Sequence, residues 1–67
     1  MEKKKFAFAK VSISPLRADK SDRAEIVSQI LFGEIVEILE VDENWTKVCT
    51  YLDNYEGWSD TKQFQFL

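Results

Sequence analysis

Histidine is absent from this sequence, cysteine occurs once at Cys49, proline once at Pro15, and glycine only at Gly33 and Gly57. Each scarcity removes a class of chemistry or structure. Without an imidazole, no Ser or Cys nucleophile can hand its proton to a histidine base. A zinc site usually draws three or four ligands from Cys and His, and cannot be assembled here. No catalytic residue, metal or cofactor is therefore expected. One cysteine cannot form an internal disulfide, so nothing covalent staples the core, with a slight lean toward a reducing compartment. Long apolar runs are missing too. The stretch after the basic start is only Phe6 to Ala9, too short for the core of a signal peptide and far below the ~20 residues of a membrane span. A soluble chain is expected, with the cytoplasm favoured over the cell envelope. Nine basic residues against twelve acidic ones give a net charge of −3. That leaves no broad positive field to hold a phosphate backbone, so nucleic acid is excluded as a partner.

What is present is apolar and aromatic. The chain has 67 residues, 45% of them hydrophobic, including five Phe, two Trp and two Tyr. That is too rich for a disordered tail and enough for one small core, not two. A single domain over residues 1–67, with its core from about Ala7 onward, is the expectation. Lys3 to Lys5 read as a solvated terminus rather than a binding patch.

Along the chain, Ala7, Ala9, Val11 and Ile13 alternate with Phe6, Phe8, Lys10 and Ser12, which predicts a strand. Pro15, lacking a ladder donor, is expected to end it. After the loop Asp19–Asp22 the local rules divide. Asp22 as N-cap, Glu25 three residues on, the stripe Ile26, Val27, Ile30, Leu31 and a terminal Gly33 describe a helix. The β-branched Ile26, Val27 and Ile30 followed by Leu31-Phe32-Gly33-Glu34 describe a strand and turn. Local signals slightly favour the helix. Ile35 to Val41, the turn Asp42-Glu43-Asn44 and Trp45 to Tyr51 predict a hairpin. Another turn at Asp53-Asn54 leads to a strand over Tyr55–Ser59. After a break at Asp60–Lys62, Phe64 and Phe66 alternate with glutamines in a last strand. Short strands joined by tight turns argue for a small all-β barrel, which closes on itself and so exposes no edges.

The order and spacing of Leu16-Arg17-Ala18, Ser21-Asp22, Ala24-Glu25, Val27-Ser28-Gln29, Leu31-Phe32-Gly33-Glu34, Trp45-x-Lys47-Val48 and Asp53-x-Tyr55-Glu56-Gly57-Trp58 resemble the bacterial SH3-like domain. More narrowly, they resemble the N-terminal one that precedes NlpC-type cell-wall cysteine endopeptidases, which cut γ-D-glutamyl to diamino-acid bonds in peptidoglycan peptides. The resemblance runs from Leu16 to about Gln63. It implies an SH3-like barrel of about five or six short antiparallel strands, with Ala24 to Ile30 a strand and Leu31 to Glu34 the diverging turn. The helix reading is therefore set aside, since pairing overrides a weak propensity. In such a barrel Gly57 must be small, either because backbone passes beside Trp58 or because its conformation excludes a Cβ.

The catalytic Cys-His-His domain of those peptidases is missing from this chain, so Cys49 reads as a small barrel side chain and not as a nucleophile. The resemblance implies a non-catalytic module that packs on a cysteine peptidase domain in the same protein, with this chain a fragment of it. The module would help select the free-amine end of a murein peptide. An ammonium calls for a phenol or carboxylate oxygen at hydrogen-bond distance. Tyr55 is the first candidate, Glu25 the second. Their plainer readings are a turn-flanking aromatic and a solvated charge. Trp45 and Trp58 read as barrel packing before ligand platforms. A stand-alone module that takes an extended peptide on Tyr51, Tyr55 and Trp58, or one that binds the cell wall, is the alternative.

Overall fold

The computed structural model describes residues 4–51 and 53–67. Seven strands form one antiparallel sheet: β1 (Lys5–Ala9), β2 (Ile13–Arg17), β3 (Ile26–Leu31), β4 (Ile35–Asp42), β5 (Trp45–Thr50), β6 (Glu56–Asp60) and β7 (Phe64–Phe66). A one-turn 3-10 helix, Thr61–Gln63, joins β6 to β7. The sheet order is β3-β2-β6-β5-β4-β1-β7. The all-β class is as expected, but the strand number exceeds the expected five or six. The additional strand comes from the first predicted one, which is broken in two, while the predicted C-terminal strand is present as Phe64–Phe66 and pairs on β1.

That break corrects the first strand. Ala7 and Ala9 are buried as predicted, but β1 stops at Ala9 and Ile13 opens β2 with its side chain 53% exposed. Pro15, expected to end a strand, lies in the middle of β2. Its carbonyl accepts a hydrogen bond from Ser59 Oγ on β6 at 2.7 Å. A residue's N–H and C=O leave a strand on the same side, so the donor that proline lacks would also face β6. The β2–β3 ladder consequently runs past it, with Pro15 opposite Gln29, whereas β2 and β6 pair only at Arg17 and Trp58. Proline stops one ladder and spares the other.

The segment on which local rules divided is a strand, β3, antiparallel to β2. Its bulge leaves Val27 without an opposite residue where the register shifts between Leu16 and Arg17. At its end Leu31 is closed off by Glu34, whose backbone N–H donates to the Leu31 carbonyl at 3.0 Å and whose Oε1 accepts from Leu31 N–H at 3.0 Å. The bulge and this cap both obstruct pairing along an outer edge. Gly33 takes φ +81° in the turn, a conformation that costs other L-residues ~1 kcal/mol or more. The predicted hairpin is present, with Asp42 opposite Trp45 across Glu43-Asn44. Glu43 itself has φ +55°.

The core lies between the coiled halves of the sheet: Ala7, Ala9, Leu16, Ile30, Val36, Val48 and Phe64, with Ile38 packed against it. Alternation on β5 puts Thr46, Val48 and Thr50 inside and Trp45, Lys47 and Cys49 on the other face. Leu16, Ile30, Val36 and Val48 are fully buried, each stabilising by about 1.5–3 kcal/mol. Buried Ser14 donates to Gln63 Oε1, and Lys10 N–H donates to the Gln63 carbonyl at 2.9 Å, tying the β1–β2 corner to the 3-10 turn. Lys4 and Lys5 of the basic start are exposed; Lys3 lies outside the described residues.

Candidate functional site

Tyr55 sits just before β6 and half exposed, at 51%. Thr50 holds its backbone twice: Tyr55 N–H donates to Thr50 Oγ1 at 3.0 Å, and its carbonyl accepts from Thr50 N–H at 2.8 Å. Asn54 makes the turn at φ +57°. Thr50 is buried, so the loop is anchored to the barrel wall while the phenol ring stays at the surface. Tyr51, on the other side of the same loop, is more exposed still. Glu25 is exposed, and its carbonyl accepts from Ala18 N–H at 2.8 Å. Arg17 pairs with Trp58, so the residues after Arg17 and those before Trp58 run out at the same end of the β2–β6 ladder. Glu25 and Tyr55 share that end, yet no hydrogen bond joins them among the described residues.

Trp58 is 9% exposed, and Lys20 Nζ stands 5.2 Å from its ring centroid. Lys20 also bonds and pairs with Asp42. That hydrogen bond, and then the Asp42 charge, hold the lysine above its ordinary pKa. The β2–β3 loop is thereby latched across β6 to the end of β4, with the indole underneath. Cys49 is half-buried on the outer face of β5, its Sγ 3.7 Å from Asn54 Oδ1 and 3.8 Å from the Thr50 carbonyl. No group of three or more His, Cys, Asp or Glu stands close enough to hold a metal among the described residues.

At the opposite end of β6 the structure opens a cleft of about 70 Å³. Its walls are Pro15, Arg17, Asp22, Trp45, Asp60 and Gln63. The cause is Pro15: where it faces β6 the ladder cannot continue, and the two strands part. Trp45 and Asp60 are opposite one another in the β5–β6 ladder. Asp60 Oδ1 accepts Lys62 N–H at 2.9 Å and so caps the 3-10 turn. Thr61 fastens that turn to the hairpin, through Asn44 O at 2.8 Å and Thr46 Oγ1 at 2.7 Å. Arg17 donates through Nη1 to the Ala24 carbonyl at 3.0 Å and brings a positive charge to this wall. Neither Tyr55 nor Glu25 lines this cleft. Sequence reasoning missed the grouping because its members are up to 48 residues apart in sequence, from Pro15 to Gln63. The usable signal was a proline inside an otherwise regular strand pattern.

The model of one family, described as the bacterial dipeptidyl-peptidase SH3 domain, matches residues 16–64. The chain belongs to that family. The match starts at Leu16 on β2 and ends at Phe64 on β7, so it takes in β3 to β6, the 3-10 turn and all of the surfaces described above except Pro15. No curated protein matches the chain. The family is one of peptidase-associated SH3 domains, and membership implies an accessory role beside a peptidase domain.

Proposed function

We propose that this domain packs on the catalytic domain of a cysteine peptidase that cuts γ-D-glutamyl to diamino-acid bonds in peptidoglycan peptides, and that it lines the free-amine end of the substrate. The observation that carries the proposal is membership of a peptidase SH3 family over residues 16–64. Tyr55 is the residue assigned to the substrate amine, with Glu25 as the second. An ammonium binds best to a phenol or carboxylate oxygen in a partly desolvated pocket. The double attachment of Tyr55 to Thr50 supports this role, since a positioned backbone gives a surface phenol a defined origin. A docked catalytic domain would supply the desolvation that an exposed end of the barrel lacks.

A stand-alone groove for an extended peptide on Tyr51, Tyr55 and Trp58 has less support. Trp58 is buried under Lys20 and offers no open ring face. The test is Tyr55→Phe in the peptidase that carries this domain. KM for murein peptides with a free amine should rise by roughly 3- to 10-fold, while N-acetylated peptides, already poor substrates, should not change. Equal kinetics for both substrates in wild type and variant would refute the assignment. Retention of the isolated domain on insoluble peptidoglycan would favour wall anchoring instead.

A further inference from the structure

We infer that the cleft between Pro15, Trp45 and the 3-10 turn is a binding site for a cationic side-chain group, an ammonium or a guanidinium, presented by a peptide. The inference stands apart from the role proposed for Tyr55, which lies at the other end of β6.

Size comes first. A cleft of about 70 Å³ is several times the ~10–15 Å³ that a single water needs. That is room enough for a small charged head. The walls then decide the sign of charge. Trp45 and Pro15 supply an apolar side, and an indole is the strongest aromatic partner for a cation. Asp22 and Asp60 supply negative charge from two separate elements, the β2–β3 loop and the end of β6. The ion pairs among the described residues are Lys20–Asp42 and Lys47–Glu56, so neither cleft carboxylate is neutralised by one. Arg17 also lines the cleft and keeps its positive charge while its Nη1 donates to the Ala24 carbonyl, so the two carboxylates leave the lining with a net negative charge of one. Asp60 keeps Oδ2 after capping the 3-10 turn through Oδ1.

The fold also holds these groups in place. Lys20 pins the loop that carries Asp22 to Asp42, and the Thr46–Thr61 bond holds the 3-10 turn against β5, next to Trp45. A cation balances the net negative charge of this lining and can contact the indole, whereas an anion would add to the charge already there.

The experiment is a titration of the 67-residue chain, followed by amide and indole NMR correlation spectra. The probes are Nα-acetyl-lysine amide, Nα-acetyl-arginine amide and, as the neutral control, Nα-acetyl-norleucine amide. Saturable shifts are expected at the Trp45 indole N–H and at the Asp22 and Asp60 amides, with a Kd on the order of millimolar and with nothing comparable for norleucine. The lysine and arginine arms decide which head the cleft prefers. Asp22→Asn, an exposed substitution that leaves the core intact, should weaken binding by about three- to fivefold. Tyr55→Phe should leave it unchanged. Absence of shifts in the cleft, equal shifts with norleucine, or undiminished binding by Asp22→Asn would each overturn the assignment.

Discussion

Replacing Gly57 by alanine tests the seam between β2 and β6, on which the barrel and its cleft both depend. A Cβ at Gly57 would stand 2.7 Å from Leu16 Cγ and 2.8 Å from the Arg17 carbonyl oxygen. Leu16 is fully buried and cannot swing into solvent; the carbonyl is backbone and can move only with its strand. The steric reason is thus close approach to β2, not to the neighbouring Trp58, and Gly57 is not among the residues at positive φ. Overpacking of this kind costs about 1–3 kcal/mol. The loss of unfolded-state freedom on going from Gly to Ala offsets about 0.4–1 kcal/mol of it. A net destabilisation of about 1–2 kcal/mol is expected for Gly57→Ala, against a total of roughly 3–10 kcal/mol for a domain of this length. The thermal midpoint should fall by about 5–10 °C. Urea unfolding followed by tryptophan fluorescence measures this, and Trp58 adjoins the substituted position. Gly33 provides the contrast: φ is +81° and nothing lies within 4 Å of a Cβ there. Gly33→Ala should therefore cost only about 1 kcal/mol, and Gly33→Asn less, since Asn tolerates that region. A Gly57→Ala protein within about 0.5 kcal/mol of wild type would show that β2 and β6 do not pack as described.

Ser59→Ala removes the donor to the Pro15 carbonyl and should cost about 1–2 kcal/mol, with faster amide exchange along β2 and β6. A loss below about 0.3 kcal/mol would mean that water replaces the serine without penalty. The Lys20 latch predicts a pH effect. Its pKa is raised in the folded state, chiefly by the Asp42 hydrogen bond. Its contribution is therefore complete below the ordinary lysine value and is lost as pH climbs through the raised folded value. The stability difference between wild type and Lys20→Met should shrink from neutral to strongly alkaline pH, read from denaturant midpoints. A difference constant across that range would refute the latch.

The sequence by itself determined the all-β class, the hairpin through Asp42–Trp45 and the turn at Asp53-Asn54, because these rest on period-two alternation and turn residues, which are local. It also determined that the chain has no histidine and a single cysteine, a matter of composition. Local signals could not settle Ala24 to Leu31, where helix and strand rules both applied; the pairing of β3 with β2 decided it. Tertiary structure likewise placed Pro15 inside a strand, because a proline is tolerated where its absent N–H faces a gap in the ladder. The prediction that Gly57 must be small was sound, but its partner across the seam, Leu16 on β2, came only from the fold. Tyr55 and Glu25 could be singled out from sequence as surface groups of suitable chemistry, but not their common end of the β2–β6 ladder. The cleft of Asp22, Trp45 and Asp60 was decided by tertiary structure alone, because it exists only where three distant segments meet beside a ladder that proline interrupts.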